Sequence, residues 1–430
     1  MHALADQRLS SAGRVLLLLG TLFIAGYTLS GMFVNVFIWK VDHSFVAIGW
    51  FNFSLYVSLP VGFLGAGYLA TRMGELWMVR AGVVVLSVFF LTLLFLGQRS
   101  AHHVVWLGAF YGGGQGLYWY GFHVLTFDLT HRGNRARFNS LAGVFATLVA
   151  TIGPFWAGFV LADGHHYSGY HLIFAVSLAL FAALFAVSFR IRVQRVQEPL
   201  RLGQGFRLRK DPDWRALLAA QVLFGIREGV FAFLIGLLVF FVSKSEVGLG
   251  EYALWTGILS LMAFYSAGRV AAREGRRRVA LQLSGLCLAA VACVFLWRLT
   301  GGTMILYGIV TACSLPFVTV TLGVMQMNEI DESHETARHR SAHLIAREMA
   351  LGVGRIVGVS TFLFVAYNWP GSSALVWLVA ILGAAHAVVA LVVRKVTFVE
   401  RDGQDRSVWH PEHDRPVLDV PAMKKPQASK

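Results

Sequence analysis

The chain has 430 residues, of which 56% are hydrophobic and 14% are charged, and its mean hydropathy is +0.62. A soluble domain cannot bury that much apolar surface, so the expected solvent is a lipid bilayer. The net charge of +14 would suit a nucleic-acid partner, but the basic residues fall mostly in short connectors between apolar runs. The positive-inside rule explains that pattern, and we expect no nucleic-acid partner.

Twelve apolar runs are long enough to cross the hydrocarbon, which takes about 20 residues. The first run is too long for the core of a signal peptide, so we expect it to remain as the first membrane helix. The predicted fold is therefore an all-α polytopic membrane protein with twelve transmembrane helices. The predicted spans are residues 15–38, 46–70, 77–97, 104–127, 138–161, 170–189, 216–242, 250–271, 279–297, 302–327, 343–366 and 373–393.

A longer, arginine-rich connector separates the sixth run from the seventh. It predicts an N-terminal six-helix bundle at 1–190, a cytoplasmic central linker at 191–214 and a C-terminal six-helix bundle at 215–395. The tail at 396–430 is polar and contains prolines, so it is predicted to be disordered.

The basic residues also predict the orientation in the membrane. If the N-terminus is cytoplasmic, most of the 37 lysines and arginines fall on the cytoplasmic side. The connectors on the other side then hold four: Lys40, Arg99, Lys244 and Arg298. This bias predicts a multi-pass protein of the cell membrane with both termini in the cytoplasm.

A short segment with glycine, arginine and glycine at the same spacing occurs twice, at Gly67–Gly74 and at Gly268–Gly275. The copies are 201 residues apart, and the same offset joins Asp128 to Glu329. Each copy lies between two apolar runs, after the second and the eighth. The repeat therefore predicts two homologous halves, each with a basic turn at the same face of the membrane.

Twelve helices in a six-plus-six repeat, with this turn after the second and eighth helices, resemble the major facilitator superfamily. The residues that carry the resemblance are Gly67, Leu69, Ala70, Arg72 and Gly74 in the first copy, and Gly268, Ala271, Arg273, Gly275, Arg276 and Arg277 in the second. The family's usual aspartate is replaced by Thr71 and Ala272, so the latch that it makes with a neighbouring helix must be built differently here. The resemblance implies two pseudo-symmetric six-helix bundles that rock around a midplane cavity.

Two features bear on the type of transport that the resemblance implies. The fifth run, with Gly153-Pro154, is similar to a loose version of the family's antiporter motif, which favours export over uptake. The arginine that many proton-coupled members carry in the fourth helix is absent, since 104–127 contains no lysine or arginine. Coupling to protons would then need another group.

Symmetry suggests partners for the turn arginines. We expect two ion pairs, Arg72–Asp128 and Arg273–Glu329, to close the cytoplasmic gate, because a charge-assisted pair at a partly buried interface can act as a two-state latch. The alternative is that these are ordinary charges beside the lipid headgroups. The predicted gate comprises Arg72, Asp128, Arg273, Glu329, Gly67, Gly74, Gly268 and Gly275.

Charges in the middle of a span are rarer. Arg227 and Glu228 lie halfway along the seventh run and Arg355 halfway along the eleventh. A charge there costs about 2.5–3.5 kcal/mol on insertion scales, so each is expected to face a cavity or a partner. The resemblance places both helices at the central cavity. We therefore expect Glu228 to be the protonatable group and Arg227 or Arg355 to be a contact for an anionic substrate or its counter-ion. The alternative is a structural Glu228–Arg355 pair.

Other polar and aromatic residues complete the predicted sites. Arg347 and Glu348 lie near the start of the eleventh run and are expected at the gate rather than in the cavity. The remaining cavity candidates are Gln115, Trp119, Tyr120, His123 and Asn35. Interhelical hydrogen bonds are the alternative for Gln115, His123 and Asn35.

The chain has no Walker A, Gly-x-Ser-x-Gly or His-Glu-x-x-His motif, and its histidine pairs have too few companions for a metal site. We therefore expect a secondary transporter that is not an enzyme and has no cofactor or metal. It would be a monomer that moves a small amphipathic or anionic molecule by proton coupling. A non-transporting sensor or scaffold on the same fold, and a lipid flippase, are the alternatives.

Overall fold

A computed structural model describes residues 9–130, 132–163, 168–191, 200–206, 212–271, 274–296, 299–330, 339–369 and 372–393. Six long helices form the N-terminal half. They are α1 (Ser11–Asp42), α2 (Phe45–Met73), α3 (Glu75–Leu96), α4 (Val104–Leu129), α5 (Arg132–Asp163) and α6 (Ser168–Ser188). A 3₁₀ segment, Gly97–His103, joins α3 to α4.

The C-terminal half begins after a short linker turn, Leu202–Gly205. Its helices are α7 (Pro212–Ser243), α8 (Glu246–Ala271), α9 (Glu274–Ala292), α10 (Gly301–Ile330), α11 (Arg340–Asn368), α12 (Ser372–Gly383) and α13 (Ala385–Val393). A 3₁₀ turn, Cys293–Leu296, follows α9. The last two helices continue one another across Ala384, so together they form the predicted twelfth span.

Within the described ranges, eleven of these spans are long and apolar enough to cross a membrane. The remaining long helix, α4, has 26 residues, and its glycines, tyrosines and polar side chains lower its hydropathy. It nevertheless packs along α2 and α3 with most of its side chains buried. The predicted all-α, twelve-span architecture is therefore confirmed, and several helices extend a few residues beyond the predicted apolar cores.

The helix ends follow local chemistry. The hydroxyl of Ser10 accepts a hydrogen bond from the Gly13 amide at the start of α1, and Ser44 caps α2 through Ala47 in the same way. Between α2 and α3 the chain turns at Gly74, whose φ of 91° is a conformation that favours glycine. The second glycine of the repeated motif therefore serves the turn itself.

Small residues let α4 approach α2 closely. Gly108, Gly112 and Gly116 are four residues apart on one face of α4, and a Cβ at any of them would collide with a carbonyl oxygen of α2. Such spacing of small residues is the usual way to bring two membrane helices into backbone contact. The glycine-rich segment of α4 is thus explained by packing.

Two helix pairs make the most extensive contacts between the halves, namely α2 with α11 and α5 with α8. Along the first pair, a Cβ at Gly67 would lie 2.7 Å from Cδ1 of Ile345, and one at Gly352 would lie 2.9 Å from Cγ of Pro60. In the second pair, Gly268 faces the side chain of Ser140. The first glycine of each motif copy therefore lies in an interface between the halves, as a two-fold repeat requires.

We expect Gly112→Ala to lower the melting temperature of the detergent-purified protein, because the new Cβ meets the Leu55 carbonyl and the helices must separate. Overpacking of this kind costs about 1–3 kcal/mol. The matched control is Gly113→Ala, since a Cβ there meets no atom within 4 Å. Equal melting temperatures for the two variants, measured by intrinsic fluorescence, would show that close α2–α4 contact does not limit stability.

Candidate functional site

Three charged side chains meet where α7 packs on α11. The guanidinium of Arg355 lies 3.0 Å from Oε1 of Glu228 through Nη2 and 3.1 Å from Oε1 of Glu348 through Nη1. The Glu348 side chain is only 6% exposed and that of Arg355 13%, whereas Glu228 is 35% exposed. We call Glu228, Arg355 and Glu348 the carboxylate–arginine cluster. One cation here pairs with two carboxylates, and Oε2 of Glu228 has no hydrogen-bond partner among the described residues.

The cluster depends on close approach of the two helices. Gly225 and Gly229 of α7 face Gly354 and Gly358 of α11, and a Cβ at any of the four would collide with a carbonyl oxygen of the opposite helix. Arg355 lies in the middle of this contact and can therefore reach across to α7. Glu348 is seven residues before Arg355, two turns along the same face of α11, so it approaches the guanidinium from its own helix.

Two tyrosines of the N-terminal half face the cluster. The guanidinium carbon of Arg355 lies 5.6 Å from the centre of the Tyr56 ring, on α2. Both Tyr56 and Tyr27 of α1 interact electrostatically with Arg355 and Glu228. The cluster therefore lies between the two halves, with its charges on the C-terminal half and its aromatic wall on the N-terminal half.

A second contact of α11 reaches α4. Arg347 is buried and interacts electrostatically with His123. The His123 ring stacks on Trp119, with ring centres 5.4 Å apart. Two of the predicted cavity residues, Trp119 and His123, are thus brought to the surface that α4 presents to α11.

Arg227 lies elsewhere, and its predicted place in the central cavity is corrected. Its Nη2 donates to the Tyr307 hydroxyl of α10 at 2.7 Å, and its guanidinium stacks over the Phe231 ring at 4.3 Å. Because neighbouring residues of a helix point in different directions, Glu228 faces α11 while Arg227 points into the C-terminal half.

The remaining cavity candidates are spread through the N-terminal half. The Asn35 side-chain oxygen accepts a hydrogen bond from Asn52 at 2.8 Å, which ties α1 to α2. Gln115 is 4% exposed, and its amide nitrogen has no hydrogen-bond partner. Tyr120 packs on Phe63 and interacts with Ser341 at the start of α11, away from the cluster.

The halves are also linked at one end of the bundle by an ion pair. Arg340, at the start of α11, lies 2.6 Å from Asp128, at the end of α4. We call this the Asp128 end. The predicted Arg72–Asp128 pair is wrong, because Arg72 is exposed and Asp128 pairs with Arg340 of the other half. Thr71, which replaces the family aspartate, donates instead to the Tyr68 carbonyl of its own helix.

The second half of the predicted gate is only partly described. Arg273 lies outside the described residues, so its pairing with Glu329 stays a prediction. Glu329 is in the last turn of α10, and Gly275 is in the first turn of α9.

The opposite end of the bundle is held by another pair. Lys40 of α1 bonds to Glu246 at the start of α8, and we call this the Glu246 end. Nearby, the Trp39 ring lies 4.9 Å from that of Phe241, and Phe45 also contacts Phe241. The two halves therefore touch at both ends of the bundle.

A groove of about 330 Å³ lies between α1, α5 and α8. Its walls are apolar apart from hydroxyl groups, and no charged side chain of the described ranges lines it. The hydroxyl-bearing residues are Thr147, Thr151, Tyr252, Thr256 and Ser260. The volume is within the range of small-molecule sites, and both halves contribute to it.

Sequence reasoning missed three residues of these sites, and two of them left a signal. Glu348 was expected at the gate but bonds to Arg355, and the seven-residue spacing could have shown it. Arg340 is a basic residue at the start of α11 and could have been weighed as a partner for Asp128. Nothing in the sequence distinguishes Tyr56 from the other aromatic residues.

Comparison with known proteins places the chain in a family. Residues 15–338 match the family model described as the Major Facilitator Superfamily. An uncharacterised Bacillus subtilis protein, YqgE, is 32% identical over 394 residues, which is 91% of each chain. A Geobacillus stearothermophilus protein encoded in the sodM 3′ region is 36% identical over 160 residues, covering 37% of this chain and 75% of that protein.

Solved structures show the same fold at low sequence identity. The Escherichia coli fucose:proton symporter FucP matches with a TM-score of 0.65 and 13% identity, over 90% of this chain and 98% of that one. The human organic anion transporter MFSD10 matches with a TM-score of 0.67 and 12% identity, over 89% and 98%. The fold, the paired halves and the family match agree: the chain belongs to the major facilitator superfamily of membrane transporters.

Proposed function

We propose that this protein is a proton-coupled secondary transporter that exports a small molecule by alternating access. The observation that carries the proposal is the carboxylate–arginine cluster, with its partly exposed Glu228 between the two halves. The protein would lie in the cell membrane as a monomer with both termini in the cytoplasm, and it would have no catalytic activity. The positive-inside pattern and the lack of hydrolase motifs support these points.

Glu228 has the properties that a proton carrier needs. It shares Arg355 with Glu348, so one proton can enter the cluster and still leave the guanidinium paired with a carboxylate. The unpartnered Oε2 offers a position for that proton. Loss of the Glu228 charge would change the field at Tyr27 and Tyr56 across the interface. Protonation is thereby connected to the contact between halves.

The two end pairs suit the alternation of access. Opening the Asp128 end requires Arg340 to leave Asp128, and opening the Glu246 end requires Lys40 to leave Glu246. Each pair joins one half to the other, so each is lost when its end opens and can be kept when the other end opens. Since both are present here, the structure corresponds to a closed stage of the proposed cycle.

The groove suggests the class of substrate. Its apolar walls and hydroxyl groups suit an amphipathic molecule without a full charge. The cluster is a poor binding site for an anionic substrate, because Arg355 already has two carboxylate partners. We therefore favour an amphipathic small molecule over an anion, and the loose antiporter motif around Gly153 and Pro154 favours export.

We expect Glu228→Gln to abolish proton movement driven by substrate in proteoliposomes, because glutamine keeps the shape but cannot carry the proton. Substrate exchange across the membrane, which needs no net proton movement, should persist. The substrate is first found by a thermal-shift screen of the wild-type protein against metabolites, lipids and drugs. Proton flux is then followed with a pH-sensitive dye inside the vesicles.

The control for this variant is Glu251→Gln, which changes an exposed acid on α8 that makes no ion pair among the described residues. It should transport as the wild type does. Proton flux in Glu228→Gln equal to that of the control would remove Glu228 from the mechanism. Loss of both flux and exchange, with normal folding, would make Glu228 a substrate contact and contradict its role as carrier.

We expect Asp128→Asn to open the Asp128 end. A reporter cysteine at Ile345, which is 1% exposed between α2 and α11, should react with a water-soluble thiol reagent about fivefold faster or more, for a coupling of at least about 1 kcal/mol. The native cysteines are replaced by serine in this background. Arg340→Gln should have the same effect, and the double variant should add little, because both changes break one pair.

Arg72→Gln is the matched control, since the structure pairs Asp128 with Arg340 and leaves Arg72 exposed. A second reporter cysteine at Leu363, near the Glu246 end, distinguishes opening from unfolding. It should not become more reactive when only the Asp128 end opens, whereas unfolding would expose both reporters. Strictly additive effects of the two changes, or an equal effect of Arg72→Gln, would refute the proposed latch.

A further inference from the structure

Arg227 is a buried cation with an unusual set of neighbours. It is 4% exposed, on the side of α7 that faces away from the carboxylate–arginine cluster. Its guanidinium bonds to the Tyr307 hydroxyl and lies over the Phe231 ring. It also interacts electrostatically with His386 of α13 and Tyr252 of α8. All of these groups belong to the C-terminal half.

Among the residues that the structure describes, no carboxylate lies within ion-pairing distance of Arg227. Glu228 is adjacent in sequence but is turned toward Arg355. A buried charge in a membrane helix is stable only when something of opposite sign compensates it, and a phenol and an aromatic ring compensate it in part. The positive charge of Arg227 therefore calls for a further partner.

Within the part of the chain that the structure describes, several buried polar atoms at and around Arg227 also lack hydrogen-bond partners. They are Nε of Arg227, the hydroxyl of Thr311 and both ring nitrogens of His386. His386 is 1% exposed, and Thr311 lies one helical turn from Tyr307 on α10. Tyr307 accepts from Arg227, so its own proton is free for another acceptor. Arg227 Nε, the hydroxyls of Thr311 and Tyr307 and one ring nitrogen of His386 can each donate, and a group that only accepts would satisfy these donors together.

We propose that Arg227, Tyr307, Thr311 and His386 form a binding site for a small monovalent inorganic anion of the halide type. A single negative charge would balance the one arginine, whereas a divalent anion would leave an excess charge in an apolar region. The surrounding aromatic rings favour a compact ion. Phe231 covers the guanidinium of Arg227. The ring centres of Phe224 and His386 are 5.3 Å apart, and those of Phe295 and Tyr307 are 4.9 Å apart.

The site is separate from the proposed transport cluster and does not depend on the substrate or on proton coupling. Its function would be to neutralise the inside of the C-terminal half, so that α7 can carry Arg227 on one face and Glu228 on the other. Anion binding is measured from the melting temperature and not from transport. The anion site can therefore be confirmed even if the protein transports nothing in the proteoliposome assays.

The test is the melting temperature of the full-length protein in detergent, with chloride exchanged for gluconate at constant ionic strength. We expect chloride and bromide to raise the wild-type melting temperature by at least about 2 °C, with saturation, because a ligand that binds only the folded state stabilises it. Equal stability in chloride, bromide and gluconate would overturn the proposal. Stabilisation by acetate but not by chloride would overturn the assignment of a halide.

Variants test whether the chloride-dependent rise in melting temperature comes from this site. Arg227→Gln and His386→Gln should lose the chloride-dependent shift, whatever their basal stability. The matched control is Arg80→Gln, because Arg80 is also a buried arginine in a membrane helix but donates to Ser188. It should keep the full shift. If Arg227→Gln keeps the shift as well, the anion binds elsewhere and the proposed site is refuted. If either Arg227→Gln or His386→Gln does not fold, the wild-type titration combined with bromide anomalous scattering at Arg227 still decides the question.

Discussion

The close approach of α7 and α11 is the constraint on which the site depends. Four glycines bring the two backbones together, and no larger residue fits at those positions. This contact fixes the rotation of both helices, and rotation decides which partner each charge meets. Arg355 is thereby held between Glu228 and Glu348 and against Tyr56. On its other side α11 packs along α2, so a change in the cluster acts directly on the interface between the halves.

The repeated turn shows how far the sequence could lead. Its spacing predicted two homologous halves and a tight turn, and the structure places Gly67 and Gly268 in the two interfaces between halves and Gly74 at a positive φ. The partner of Asp128 was predicted wrongly, because symmetry within the chain suggested a residue of the same half. The actual partner, Arg340, comes from the other half. An ion pair within one half could not have linked the two halves. The aspartate that the family uses for its latch is also absent from both copies of the turn.

For the charges in the middle of the spans, the sequence predicted that partners are needed but not which residues pair. Hydropathy was enough to mark Arg227, Glu228 and Arg355 as residues that need partners, since each interrupts an apolar run. Which of them face each other depends on the rotation of α7, which is set by helix contacts that involve residues far apart in the chain. The structure pairs Glu228 with Arg355, which the sequence offered only as the alternative to a transport role, and it places Arg227 against Tyr307 rather than in the predicted cavity.

Adjacent opposite charges also constrain how α7 can move. Arg227 and Glu228 point to different sides of one helix, toward Tyr307 and toward Arg355 respectively. Rotating α7 to improve one contact would pull the other charge from its partner, and in an apolar surrounding each loss is costly. The two contacts therefore oppose rotation from both sides and hold α7 in register with α10 and α11. In the proposed transport cycle, movement would then occur at the interfaces between halves, where the pairs at the Asp128 and Glu246 ends can break one at a time while the C-terminal half moves as a unit.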